Sequence, residues 1–138
     1  MDDHIPPKKI LITSNNFILL RVLKLNLGIL RLSNGGHVEL VEYLPDMPFD
    51  KDHWTDSNPV ELIVTALSCA GQNFDSLLSQ ISMISRVWQI PLLVISDYWP
   101  ADMVPNQFTM RLDIPFDLDA LHRKIESALM EQLTGQTP

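Results

Sequence analysis

The sequence predicts an α/β domain, a parallel sheet with helices packed on both faces. Three observations carry that expectation. Short runs rich in β-branched residues alternate with segments of helical periodicity, the pattern left by parallel strands joined through helical crossovers. Two of those runs, Val60–Leu67 and Pro91–Ile95, are almost unbroken in apolar residues, as strands covered on both faces must be. The chain has 138 residues, 46% hydrophobic and 20% charged, enough to fill one globular core without disulfide or metal.

The elements follow in order. Residues 1–7 read as a flexible lead-in, acidic and proline-containing, with no apolar stretch of the kind a signal peptide needs. The domain is expected over residues 8–133, with 134–138 as a tail. Lys9–Thr13 is the first strand, and Ser14, Asn15 and Asn16 supply a turn and a helix cap. Phe17–Leu32 is the first helix. Arg21, Lys24, Gly28 and Arg31 make one solvent stripe on it, and nearly everything else except Asn26 is apolar. Ser33–Gly36, "SNGG", is the expected stop, since glycine takes the left-handed conformation of helix C-termini.

Val38–Tyr43 is the second strand. Leu44–Pro59 contains three prolines and has room for a short helix at most. Val60–Leu67 is the third strand. Phe74, Leu77, Leu78, Ile81, Ile84 and Trp88 have helical spacing. After the fourth strand, Pro91–Ile95, the loop Ser96–Asn106 holds Pro100 and Pro105, which leave space for about one helical turn. Phe108–Leu112 is the fifth strand. Asp117 caps a last helix whose apolar face is Leu118, Leu121, Ile125, Ala128 and Leu129.

Charge and composition exclude several functions. A net charge of −7 and a pI near 4.8 argue against nucleic acid and against anionic membrane surfaces, which both call for a basic footprint. The most apolar stretch, Phe17–Leu32, is too short and too polar to span a bilayer. The expectation is a cytoplasmic protein. The single Cys69 permits no intramolecular disulfide and no multi-cysteine metal site, and reads as a small packing residue. His4, His37, His53 and His122 lack metal-ligand spacing. Asp46, Asp50, Asp52, His53 and Asp56 share one loop. They lack the alternation and central glycine of a calcium loop, so a solvated acidic loop is expected, with no metal and no cofactor.

In this order the parts resemble the receiver domain of bacterial two-component response regulators, over about residues 8–133. "KKILITSNN" stands where that family has a strand ending in paired acidic residues. "PVELIVTALSCAGQNFDSLL" stands where it has the third strand, phosphoacceptor loop and third helix. "IPLLVIS" matches the fourth strand ending in Ser or Thr, and "IPFDLDALHRKIESAL" the Lys-Pro-Phe signature with the final helix. The resemblance implies a flavodoxin-like fold, a five-stranded sheet in order 2-1-3-4-5, here with shortened second and fourth helices.

The resemblance also implies which residues occupy the family's chemical positions. The two metal-binding acids fall at Ser14 and Asn15, both neutral, and the phosphoacceptor aspartate at Ala66, which has no nucleophile. The switch hydroxyl falls at Ser96 and is kept. The lysine that pairs with the phosphoryl group falls at Ile114, and the aromatic switch residue near Arg111. Four of those six positions, Ser14, Asn15, Ala66 and Ile114, lack the implied charge or nucleophile together, and magnesium needs oxygen ligands that usually include carboxylates. The implied function is a phosphorylation-independent pseudo-receiver, a signalling or scaffold module working through a protein partner.

The alternative is a small-molecule sensor using the strand-end crevice around Ser14, Asn15 and Ser96. An enzyme is not expected: Asp97 and Asp113 both lie near strand ends, but nothing in the sequence brings them together as an acid–base pair. Tyr98 and Trp99, with Arg111, are the aromatic and cationic residues best suited to an interface. The first helix supplies another surface. Ile18, Leu25 and Ile29 recur at helical spacing, as do Leu20, Leu23, Leu27 and Leu30, a wider apolar zone than the roughly 100° stripe of a surface helix. A symmetric homodimer would cover the excess, and the N-terminal arm or Leu44–Pro59 could do so in a monomer.

Overall fold

In the computed structural model the described residues are 8–30, 32, 36–43, 60–100, 109–114 and 116–134. Five strands, β1 (Lys8–Ser14), β2 (Val38–Glu42), β3 (Val60–Leu67), β4 (Leu92–Ser96) and β5 (Thr109–Asp113), form one sheet in the order β2-β1-β3-β4-β5. All four pairings are parallel. The described helices are α1 (Phe17–Gly28), α2 (Phe74–Trp88) and α3 (Leu118–Thr134).

Successive strand residues point to opposite faces, so the apolar run of β3 feeds two cores. Leu62, Val64 and Ala66 join Ile10, Ile12, Leu93 and Ile95 in one cluster with Leu23 and Leu27 of α1 and Leu121, Ile125 and Leu129 of α3. Ile63 and Leu67 join Leu11, Leu92 and Val94 in the other, with Leu77, Leu78, Ile81 and Ile84 of α2. Between them on that second face lie Thr13 and Thr65, direct register partners, both buried and with hydroxyls that have no hydrogen-bond partner among the described residues. Tyr43, just past β2, is buried against α2. Its phenol accepts a bond from Gln80 Nε2 at 2.7 Å, and burial pushes its pKa up.

β5 is different in kind. Met110 and Leu112 pack on the α1–α3 cluster, but Arg111 and Asp113, on the opposite face, are exposed. The segments in which shortened second and fourth helices are expected, 44–59 and 101–108, lie outside the described residues, as does the acidic loop with Asp46, Asp50, Asp52, His53 and Asp56.

The first helix is shorter than its periodicity predicts. It stops at Gly28, not at Leu32. Leu30 N–H turns back to the Leu27 carbonyl at 3.2 Å, and Leu30 and Leu32 are both buried in the same cluster. Residues two apart reach one face only on extended backbone, so the core takes these two leucines by ending the helix at its poorest helix former. Asn26, the odd polar residue of α1, donates from Nδ2 to the Val22 carbonyl at 2.9 Å and so satisfies its amide along the helix itself. At the other end of the domain α3 runs through Thr134, one residue past the expected boundary.

Candidate functional site

The C-terminal ends of β1 and β3 meet in register, Ser14 beside Ala66. Ala66 is 2% exposed and its methyl belongs to the core cluster. The Ser14 hydroxyl donates to the Ala66 carbonyl and accepts the Asn16 N–H at 3.0 Å. Asn15 then spans the gap between the two loops. Its Nδ2 donates to the Ser68 carbonyl and its Oδ1 accepts the Ser68 N–H, both at 2.8 Å. One side-chain amide thus replaces a missing residue of backbone pairing. Gly71 is needed for this: a Cβ there would lie 2.8 Å from Asn15 Nδ2 and 2.9 Å from its backbone oxygen. Asn16 caps α1, with Oδ1 accepting from Ile18 and Leu19 N–H at 2.9 and 3.0 Å.

The ends of β4 and β5 are tied by charged groups. Asp97 accepts from Cys69 N–H at 2.9 Å and more weakly from the Ser68 hydroxyl at 3.4 Å, which fastens the loop after β4 to the loop after β3. Ser96 is 1% exposed. Its hydroxyl donates to the Tyr98 carbonyl at 2.7 Å and accepts the Tyr98 N–H at 3.1 Å, so it shapes its own loop. Trp99 donates from its indole nitrogen to Asp113, and the Arg111 guanidinium lies 5.0 Å from the Trp99 ring centroid, within cation–π range. Tyr98 meets Phe74 of α2 edge to face, ring centroids 5.7 Å apart. Of the three residues expected at an interface, Arg111 and Tyr98 are exposed, and Trp99, which touches Arg111, is half-buried against the α2 cluster.

No protein-family model matches the sequence, and no curated protein matches it. Solved structures do. The signal receiver domain of an HD domain-containing protein from Pseudomonas fluorescens superposes with a TM-score of 0.64 at 15% identity, over 94% of this chain and 99% of that one. A CheY-like response regulator receiver domain protein from Methanospirillum hungatei gives 0.60 at 16% identity over the same shares. The signal receiver domain of a modulated diguanylate cyclase from Desulfovibrio desulfuricans gives 0.64 at 16%, again over 94% and 99%. This chain has the receiver fold. Ser14, Asn15, Ala66, Ser96 and Ile114 all lie at the carboxyl ends of their strands, as neutral groups bonded locally or packed into the core. Ile114 N–H donates to the Ser96 carbonyl at 3.0 Å, and its side chain packs on the α1–α3 cluster.

The residues present do not fit a magnesium ion, since Ser14, Asn15 and Ala66 offer no carboxylate and the serine and asparagine oxygens are engaged. Among the described residues no group of three or more His, Cys, Asp or Glu could hold a metal. Asp97 and Asp113 are each bonded to a different partner, not joined as an acid–base pair. No helix of the described residues is long and apolar enough to cross a membrane.

A crevice does open at this edge, with Ser14 and Asn15 on its wall but not Ser96. A cavity of about 320 Å³ lies between the N-termini of α1 and α2. Ser14, Asn15 and Asn16 line one side of it and Gln72 and Asn73 another, with Phe17, Leu20 and Leu77 as apolar wall. Ser96 is not among the lining residues, because its hydroxyl is buried in its own turn. Ser68 and Gly71, which complete the Asn15 bridge, escape a reading of the sequence. Their signal is the small, polar run Ser68–Asn73 between strand and helix, which marks a turn but not its partner.

Proposed function

We propose that this chain is a phosphorylation-independent pseudo-receiver, a cytoplasmic signalling or scaffold module that acts by protein–protein contact and catalyses no reaction. The observation that carries the reading is the Asn15 amide bonded to both backbone groups of Ser68. It fills, with two neutral hydrogen bonds, the space between loops where a receiver would hold metal and phosphoryl group. The rim of Tyr98, Trp99 and Arg111 is one contact surface. The other is α1, on which Ile18, Leu25 and Ile29, the last just past its end, are each 71% exposed. A homodimer through this stripe would bury them, and Lys24, paired with Glu42, would add no unpaired cation to it.

The test is mass spectrometry after treatment with acetyl phosphate and magnesium. No phosphoryl adduct is expected, and a stoichiometric one near the strand ends would overturn the proposal. Light scattering at micromolar concentration tests the dimer. Dimer mass is expected for the native chain and monomer mass for Leu25→Glu; a native monomer would remove the homodimer.

A further inference from the structure

The cavity between α1 and α2 sits at a special place in the sheet. The segment leaving β1 packs over one face, with α1 in the Ile10–Ile12 cluster, and the segment leaving β3 packs over the other, with α2 in the Leu11–Ile63 cluster. The two chains diverge, and a crevice opens outside the carboxyl ends of β1 and β3. In open α/β sheets that topological switch point is where ligands bind. A volume of about 320 Å³ lies at the small end of the range for small-molecule sites.

The chemistry of the walls narrows the occupant. None of the described lining residues is ionisable. A cation would find no carboxylate and an anion no counter-charge, and the first N–H groups of α1 are already occupied by Asn16 Oδ1. The unused polar groups are amides. The Asn73 side chain makes no capping bond to α2, and the Gln72 amide makes no hydrogen bond among the described residues. A primary amide presents a donor and an acceptor side by side, which pairs bidentately with the matching edge of a nucleobase. Phe17, 73% exposed, supplies a flat apolar surface beside Leu20 and Leu77.

We propose that this crevice binds a small uncharged heteroaromatic molecule with an amide-like donor–acceptor edge, of the nucleobase or nucleoside type. The ring lies against Phe17 and its polar edge faces Gln72 and Asn73. The proposal is independent of the protein-contact reading, and either can fail alone.

The test is titration of the full ¹⁵N-labelled chain with adenine, adenosine and nicotinamide, with AMP and inorganic phosphate as charged arms. Saturable shifts are expected from at least one uncharged probe at the Asn16, Gln72 and Asn73 side-chain amides and at backbone positions 14–17 and 72–77. Gln72→Ala and Asn73→Gly, both at exposed positions and the second suited to the left-handed backbone of residue 73, should each weaken binding about fivefold, the worth of one hydrogen bond. Phe17→Ala should weaken it without altering the fold. AMP should bind no tighter than adenosine. Three results overturn the proposal: no saturable shift with any uncharged probe up to about 10 mM, binding that all three variants leave unchanged, or phosphate or AMP binding tighter than adenosine.

Discussion

At the ends of β1 and β3 the loops are joined by neutral groups that are at least half-buried: Ser14 to Ala66, and Asn15 to both backbone atoms of Ser68. At the ends of β4 and β5 the joints are ionic and exposed: Asp97 to the Cys69 N–H, the Trp99 indole to Asp113, Arg111 over the Trp99 ring. The first set carries no charge and needs no counter-ion, so it should be insensitive to salt. The second competes with solvent at every contact and contributes little to stability. Charge is absent from the carboxyl ends of β1 and β3, whose Lys8–Glu61 ion pair lies at the opposite end of the strands, and it is gathered at the ends of β4 and β5, where proposed partner contacts lie.

Putting charge back into the neutral half should have the largest effect. Ala66→Asp places a carboxylate where the methyl is 2% exposed, among Ile12, Val64 and Ile95 and without a cation, since Ile114 supplies none. We expect a loss of about 3 kcal/mol or more in denaturant unfolding, as for other uncompensated buried charges. We also expect no gain of phosphoryl transfer, because the acid alone restores neither metal ligands nor cation. A variant of native stability would show that the strand end is not packed as described.

Next comes the amide bridge. Asn15→Ala leaves the N–H and carbonyl of Ser68 without these partners, and about 2 kcal/mol should be lost. Gly71→Ala should cost a similar amount through its close approach to Asn15, about 1–3 kcal/mol for an overpacked site. The two should not add. With the amide gone, the 2.8 Å contact to Nδ2 disappears and only the 2.9 Å backbone contact remains, so the double variant should be more stable than the sum of the singles predicts. Strict additivity would mean that Gly71 is required for some other reason.

A gain is expected one layer down in the same half. Thr13 and Thr65 bury unpartnered hydroxyls side by side. Replacing both by valine keeps the shape and removes the desolvated polar atoms, and should stabilise the domain by about 1 kcal/mol. If the double variant is instead less stable, the hydroxyls share a bound water, and the neutral half is wetter than its bonds imply.

These sites also show where the sequence could be read and where it could not. β3 occupies the residues its apolar run predicts, Val60–Leu67, because a strand buried on both faces is specified by local composition. α2 runs from Phe74 to Trp88, the span marked by its apolar spacing. The end of α1 was not legible, since helical periodicity over Phe17–Leu32 is equally served by a helix and by two leucines folded back into the core. Only the tertiary environment of Leu30 and Leu32 decides between them. That Ser14, Asn15, Ala66 and Ile114 are uncharged is plain from residue types. That Asn15 would bridge to a residue 53 positions away was not, because a bond of that separation leaves no local pattern.

The smallest effect should come from the charged half. Arg111 is exposed, and its partner among the described residues is the ring of Trp99. An exposed cation–π contact is worth about 0.5–1 kcal/mol, so Arg111→Ala should lower stability by no more than that, and less in high salt. Trp99→Phe keeps an aromatic face for the guanidinium and removes only the indole donor to Asp113. Trp99→Leu removes both. A double-mutant cycle between Arg111→Ala and each Trp99 variant therefore divides the cluster. The cost of Arg111→Ala should persist in the Trp99→Phe background, giving little coupling energy, and vanish in the Trp99→Leu background, giving the full coupling energy. If that cost vanishes as fully with Phe as with Leu, the arginine is held through the Asp113 carboxylate and not by the ring.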